Sequence, residues 1–193
     1  MKRDHVSFQR RPFLTPIWLT ALAALAAAAA LIFSVFAAWV WITADSTTFI
    51  VIRHAEKDLS VSVTDPPLSP AGEARAALLA RMFGDADTLG HVDAIYVSPA
   101  LRNRLTAAPL AARLRLGATV APADDPRGLA RRALREHGGG RVLIVGHADT
   151  VPRIVAELSG NPKIPEIGDQ DYGTMYVVSV PRIGHANLLR LNY

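Results

Sequence analysis

The longest apolar run in the chain comes first: residues 17–42 are twenty-six consecutive positions without a charge, with only Thr20 and Ser34 bearing hydroxyls. As a helix this run rises about 39 Å, enough to cross a hydrocarbon layer of roughly 30 Å with tilt to spare. Trp18 at one end and Trp39 and Trp41 at the other stand where amphipathic rings favour membrane interfaces. Beyond it the pattern changes to short β-rich runs that alternate with segments of helical period, which predicts an α/β domain with a largely parallel sheet. Residues 49–52, 94–97 and 142–145 are nearly continuous apolar runs, as expected of strands covered on both faces. Residues 175–180 and 188–191 read as an antiparallel pair across a turn at 181–187.

Helices fall between the strands. Ser69 and Pro70 supply an N-cap and a first-turn proline for a helix that Gly84 ends. By the same logic a second helix opens after Ser98 and Pro99 and runs to Leu116, before Gly117. A third covers about 126–137 and a fourth about 150–158, before Gly160. The expected organisation is a basic segment at 1–16, a transmembrane helix at 17–43, a linker at 44–48 and the α/β domain at 49–193.

Charge sets an orientation. Lys2, Arg3, Arg10 and Arg11 precede the span, whereas Asp45 to Thr48 contains no basic residue. The positive-inside rule puts the N-terminus in the cytoplasm and the domain outside it, as in a bacterial inner membrane. A cleaved signal peptide is the competing reading, but the run is about twice the usual length of such a segment. The absence of cysteine fits an oxidising exterior and adds little. The net charge of +4 arises partly from the four N-terminal basic residues, and no basic stripe with interleaved aromatics suggests a nucleic-acid partner.

Three buried strands are followed at once by reactive residues: Arg53 and His54 after the first, Ser98 and then Arg102 after the second, His147 after the third. In open α/β sheets the carboxyl ends of parallel strands share one edge, where ligands bind, so these groups should converge. Two histidines and two arginines suit phosphoryl transfer through a covalent intermediate. A neutral imidazole is a competent nucleophile if its other nitrogen is held by a backbone carbonyl. The forked guanidinium binds two phosphoryl oxygens and keeps its proton throughout. Arg102 also lies in the first turns of its helix, where free N–H groups favour an anion.

Arg53-His54-Ala55-Glu56 resembles the Arg-His-Gly motif of the histidine phosphatase, or phosphoglycerate mutase-like, superfamily. Leu68-Ser69-Pro70-Ala71-Gly72 is similar to its Leu-Thr-x-x-Gly helix start. Ser98 to Arg102 with Thr106-Ala107 resembles its third motif, and Gly146-His147-Ala148-Asp149-Thr150 its Gly-His-Ser-Asn-Thr. The resemblance spans about 49–191 and implies a three-layer sandwich around a largely parallel sheet, preceded here by one transmembrane helix. It implies that His54 is phosphorylated, that Arg53, Arg102 and His147 hold the phosphate, and that neither cofactor nor metal takes part.

The departures carry information as well. Ala55 stands where the superfamily has a glycine, so slight crowding at the phosphate is expected. The interval between the second and third motifs is short, where mutases and sugar phosphatases carry an insertion with a glutamate proton donor. An open pocket follows, suited to a phosphate displayed on a phosphoprotein, a lipid or an envelope saccharide. The general acid is unassigned: Asp149, Asp124 and Asp125 are candidates, each of which also reads as a helix cap. Glu56 and Lys57 are candidates for the entrance. His5, His91, His137 and His185 lie outside the motifs, with spacings that do not suggest zinc. The reading is a membrane-anchored phosphatase acting on a phosphorylated substrate. A phosphate-binding regulatory module without turnover, a phosphomutase and a membrane-assembly helix with an accessory domain are its rivals.

Overall fold

The computed structural model describes residues 17–44, 46–84 and 92–193. The basic segment at 1–16, with His5, and also Asp45 and His91, lie outside the described residues. The chain divides after Trp41 into two compact units.

The first unit contains all but the last three residues of α1 (Ile17–Ala44), a 28-residue helix whose stretch Trp18–Trp41 has a mean hydropathy of 2.4 and no buried residues. It is long and apolar enough to cross a membrane. Its serine satisfies itself, Ser34 Oγ donating to the Ala30 carbonyl one turn back at 2.8 Å, as a hydroxyl in an apolar surround must.

The second unit is a mixed six-stranded sheet ordered β3-β2-β4-β1-β5-β6, composed of β1 (Thr47–Arg53), β2 (Ala94–Val97), β3 (Ala118–Val120), β4 (Arg141–Gly146), β5 (Thr174–Val180) and β6 (Asn187–Asn192). β1, β4, β2 and β3 run parallel, while β5 and β6 form the antiparallel hairpin expected at the far edge. Helices α2 (Pro70–Phe83), α3 (Leu101–Leu114), α4 (Pro126–Glu136) and α5 (Thr150–Ser159) fill the crossovers. Alternation along β1 explains its unbroken apolarity. Ile50 and Ile52 point into a core with Leu79, Phe83 and Leu110 of α2 and α3, whereas Phe49 and Val51 face Ala133, Val151 and Ile154 of α4 and α5.

Several ends differ from the sequence expectation. Ser98 does not cap α3: its N-cap position is Ala100, with no side-chain cap bond, and the Asp65 carboxylate accepts the Leu101 N–H at 2.8 Å instead. That helix ends at Leu114, with Arg115 in the left-handed region at φ 56°, ahead of Gly117. β3 was not foreseen, because a three-residue edge strand with both outer residues exposed leaves no apolar run to read.

Candidate active site

The register of the parallel strands builds the site. Arg53 pairs with Gly146 and Val97 with Val145, so the residues that follow emerge side by side at one edge. The His54 N–H continues the ladder to the Gly146 carbonyl at 2.9 Å. The His54 and His147 rings then stand 5.3 Å apart between centroids, edge to face. Gly146 is required here by close approach, since a Cβ would lie 2.9 Å from Thr150 Oγ1 and 3.1 Å from Val151 Cγ2.

His54 is 4% exposed, and its Nδ1 lies 2.8 Å from the Ala55 carbonyl. A carbonyl only accepts, so Nδ1 carries the proton and Nε2 keeps its lone pair. Burial lowers the His54 pKa to about 4; the bond to Ala55 opposes that, and Arg102, His147 and Arg53 add to it. The ring is therefore neutral at pH 7. The pKa of His147 is lowered by burial and then by Arg102, while Asp149 pulls the other way. His147 thus brings a hydrogen-bonding ring rather than a charge to the resting site. Its Nε2 is 2.8 Å from Ser98 Oγ, and Arg102 approaches its Nδ1 at 3.5 Å. Arginine only donates, which assigns the proton of His147 to Nε2, on the serine side.

The two arginines are fixed differently. Arg53 donates through one terminal nitrogen to the carbonyls of Gly168 and Asp169, both at 2.9 Å, and of Asp171 at 3.3 Å. Its guanidinium carbon stacks 4.2 Å from the centre of the Tyr172 ring. Arg102 meets Asp65 Oδ1 at 3.3 Å. The Nε donors of both arginines are buried and without a hydrogen-bond partner, and such orphaned donors beside two neutral imidazoles are what a bound anion satisfies.

Around them the loop at 54–56 is held from several sides. The Ala55 N–H donates to Thr106 Oγ1 at 2.9 Å, and that hydroxyl donates to the Arg102 carbonyl at 2.7 Å. Asn103 Nδ2 donates to the carbonyls of Val145 and Gly146, both at 3.0 Å. The Glu56 carbonyl receives the Ser69 N–H at 2.9 Å, and a Cβ at Gly72 would collide with that same carbonyl, so the glycine lets α2 seat against the loop. Ala55 is fully buried, packed with Leu68 and Ala76. Glu56 is not free at an entrance: Arg75 grips both its oxygens at 2.7–3.1 Å and also donates to the Tyr193 carbonyl at 2.6 Å. Lys57 is exposed and bridges to Leu68.

The three carboxyl candidates separate. Asp125 caps α4, accepting the Gly128 N–H at 2.8 Å, as expected. Asp124 is exposed in the preceding turn. Asp149 occupies the N-cap position of α5 but makes no cap bond; Thr150 Oγ1 instead accepts the His147 N–H at 2.8 Å. Asp149 is thus an exposed carboxylate beside His147. Of the remaining histidines, His137 hydrogen-bonds Tyr96 at 3.1 Å and His185 is exposed. Among the described residues no group of three His, Asp or Glu is arranged to hold a metal. Sequence reasoning missed Asp65, Tyr172 and the carbonyls of 168–171.

The family model of the histidine phosphatase superfamily (branch 1) matches residues 49–124, a span that contains the first three motifs. Solved structures share the fold. The protein histidine phosphatase SixA complexed with tungstate is 20% identical, with a TM-score of 0.60, over 75% of this chain and 96% of its own. A SixA from Nakamurella multipartitia is 25% identical, with a TM-score of 0.55, over 78% and 98%. A mycobacterial glucosyl-3-phosphoglycerate phosphatase is 17% identical, with a TM-score of 0.59, over 77% and 98%. No curated protein matches by sequence.

Proposed function

We propose that this chain, which carries the sequence signature and fold of the histidine phosphatase superfamily, is a membrane-anchored phosphatase that hydrolyses a phosphomonoester through phospho-His54. The observation that carries the reading is the state of His54: buried, neutral, with Nδ1 tied to Ala55 and Nε2 left as the nucleophile. Nε2 attacks phosphorus and the P–O ester bond breaks. The leaving oxygen takes a proton from solvent, and the alcohol departs while the phosphoryl group stays on Nε2. Water then attacks the phosphoryl group and gives its proton to solvent, the P–N bond breaks, inorganic phosphate leaves and Nε2 is restored.

Arg53, Arg102 and His147 bind the phosphoryl oxygens, and the orphaned Nε donors of the two arginines support that role. Their positive charge is present throughout, so no proton transfer is needed to stabilise the transferring group. Arg102 sets the tautomer of His147, whose Nε2–H rests on Ser98 Oγ and turns to a phosphoryl oxygen when the phosphate binds. The anchor is α1, and the basic residues before it orient the domain away from the cytoplasm.

The test is hydrolysis of an aryl phosphate by the full chain in detergent with EDTA present, beside His54→Ala. An aryl leaving group needs little protonation, so this substrate probes the nucleophile independently of the acid. Turnover lost in the variant, together with an acid-labile phosphoryl label on the wild type alone, is the expected result. Equal turnover by both proteins would dismiss His54 as nucleophile. Phosphate binding without turnover or label would favour the regulatory module.

A further inference from the structure

Beside the two histidines a groove of about 480 Å³ runs between α5 and the segment that precedes Arg53's carbonyl partners. Ala156 and Ile164 are among its apolar lining, and Asp149, Arg153, Glu166 and Asp169 are its charged residues. Both walls lead back to the reaction centre. Asp149 follows His147 by two residues and acts on its charge, and the backbone carbonyl of Asp169 holds Arg53 at 2.9 Å. The groove is therefore walled by residues that neighbour His147 and hold Arg53.

Its charge is lopsided, with three carboxylates against one guanidinium. Asp149, Glu166 and Asp169 are all exposed, and none is held in an ion pair among the described residues. A phosphate pocket lined by arginines thus adjoins a groove that repels further anions. Nucleotides and sugar bisphosphates carry their remaining charge with the wrong sign for it. The volume is in the range that takes a drug-sized ligand or a few peptide residues, well above what a single aminoethyl group fills.

We propose that this groove receives a basic peptide segment next to the phosphorylated residue, so that the substrate is a phosphopeptide with lysine or arginine flanking its phosphate. This inference rests on the phosphatase reading of the same site. Aliphatic stems of the basic side chains lie on the apolar lining, and their cationic ends meet the carboxylates.

The experiment compares two phosphotyrosine hexapeptides that differ only in flanking lysines or glutamates, with the full chain in detergent and an aryl phosphate as reference. The lysine peptide is expected to have a kcat/KM about tenfold higher at low salt, a ratio that shrinks as salt screens the exposed charges. Glu166→Lys is expected to lower that ratio about threefold. Equal kcat/KM for the two peptides, or a ratio untouched by Glu166→Lys, overturns the inference while aryl phosphate turnover leaves the site reading intact. Phosphoethanolamine outrunning the lysine peptide overturns the peptide and assigns the groove to a small amine. If the aryl phosphate is not hydrolysed either, the site reading falls and this inference falls with it.

Discussion

The carboxylate of Asp65 holds Arg102 much as a phosphate would, with one oxygen 3.3 Å from the guanidinium and the other accepting the Leu101 N–H at the start of α3 at 2.8 Å. Both donors are of the kind that bind phosphoryl oxygens. The loop carboxylate therefore orients Arg102 and also offsets part of its positive charge at the pocket.

Asp65→Asn keeps an acceptor for the Leu101 N–H and removes the charge. It is expected to tighten phosphate or vanadate binding by about two- to fivefold, the range of a half-exposed ion pair. Titration calorimetry on the wild type and the variant measures this directly. Weaker binding in the variant would mean that orientation of Arg102 outweighs the charge that Asp65 offsets.

His54 links stability to pH. Its pKa falls from 6.5 to about 4 on folding, so the folded state binds fewer protons than the unfolded one across that window. The contribution is fully present above pH 6.5 and is lost as pH falls through 4, amounting to roughly 3 kcal/mol if the whole shift is expressed. Denaturation by urea at pH 7 and pH 4.5 should show a large loss of stability in the wild type and a smaller one in His54→Gln. His147, lowered in the same direction, supplies part of the residue. The His54 ring stays neutral at pH 5, so, if it is the nucleophile proposed above, kcat/KM should not collapse there for want of a free imidazole.

Thr106 is fully buried and joins two site segments, receiving the Ala55 N–H and donating to the Arg102 carbonyl. Thr106→Val keeps the shape and strands the Ala55 N–H, which costs about 1–3 kcal/mol. The expected signature is a lower thermal midpoint together with a kcat loss, because the N–H that is released belongs to the residue whose carbonyl sets the His54 tautomer. Thr106→Ser should restore both.

What was legible in the sequence follows from covalent nearness and burial. β1, β2 and β4 were readable because helices cover both their faces, and Arg53, His54 and His147 because each directly follows such a strand. Arg102 was readable at a helix start. What holds these groups was not. Arg53 is fixed by carbonyls more than a hundred residues away, and a backbone carbonyl has no residue signature. Asp65 sits in an aperiodic loop, where nothing marks a carboxylate that reaches α3. Ser98 and Asp149 both read as helix caps because local chemistry favours that role, yet Ser98 gives its hydroxyl to His147 and Asp149 makes no cap bond. A tertiary partner overrode the local preference at Ser98.

Orientation across the membrane is open to a direct test because the chain contains no cysteine. Lys163 is exposed in the segment after α5, so Lys163→Cys introduces one reactive thiol with little effect on the fold. With the basic residues of 1–16 retained on the cytoplasmic side, a membrane-impermeant maleimide added to intact cells should label this thiol without permeabilisation. Labelling only after the cells are opened would put the domain in the cytoplasm, against the charge asymmetry across the span. A shorter labelled product, lacking residues 1–44, would instead identify the apolar run as a cleaved signal and make the α/β domain a released protein.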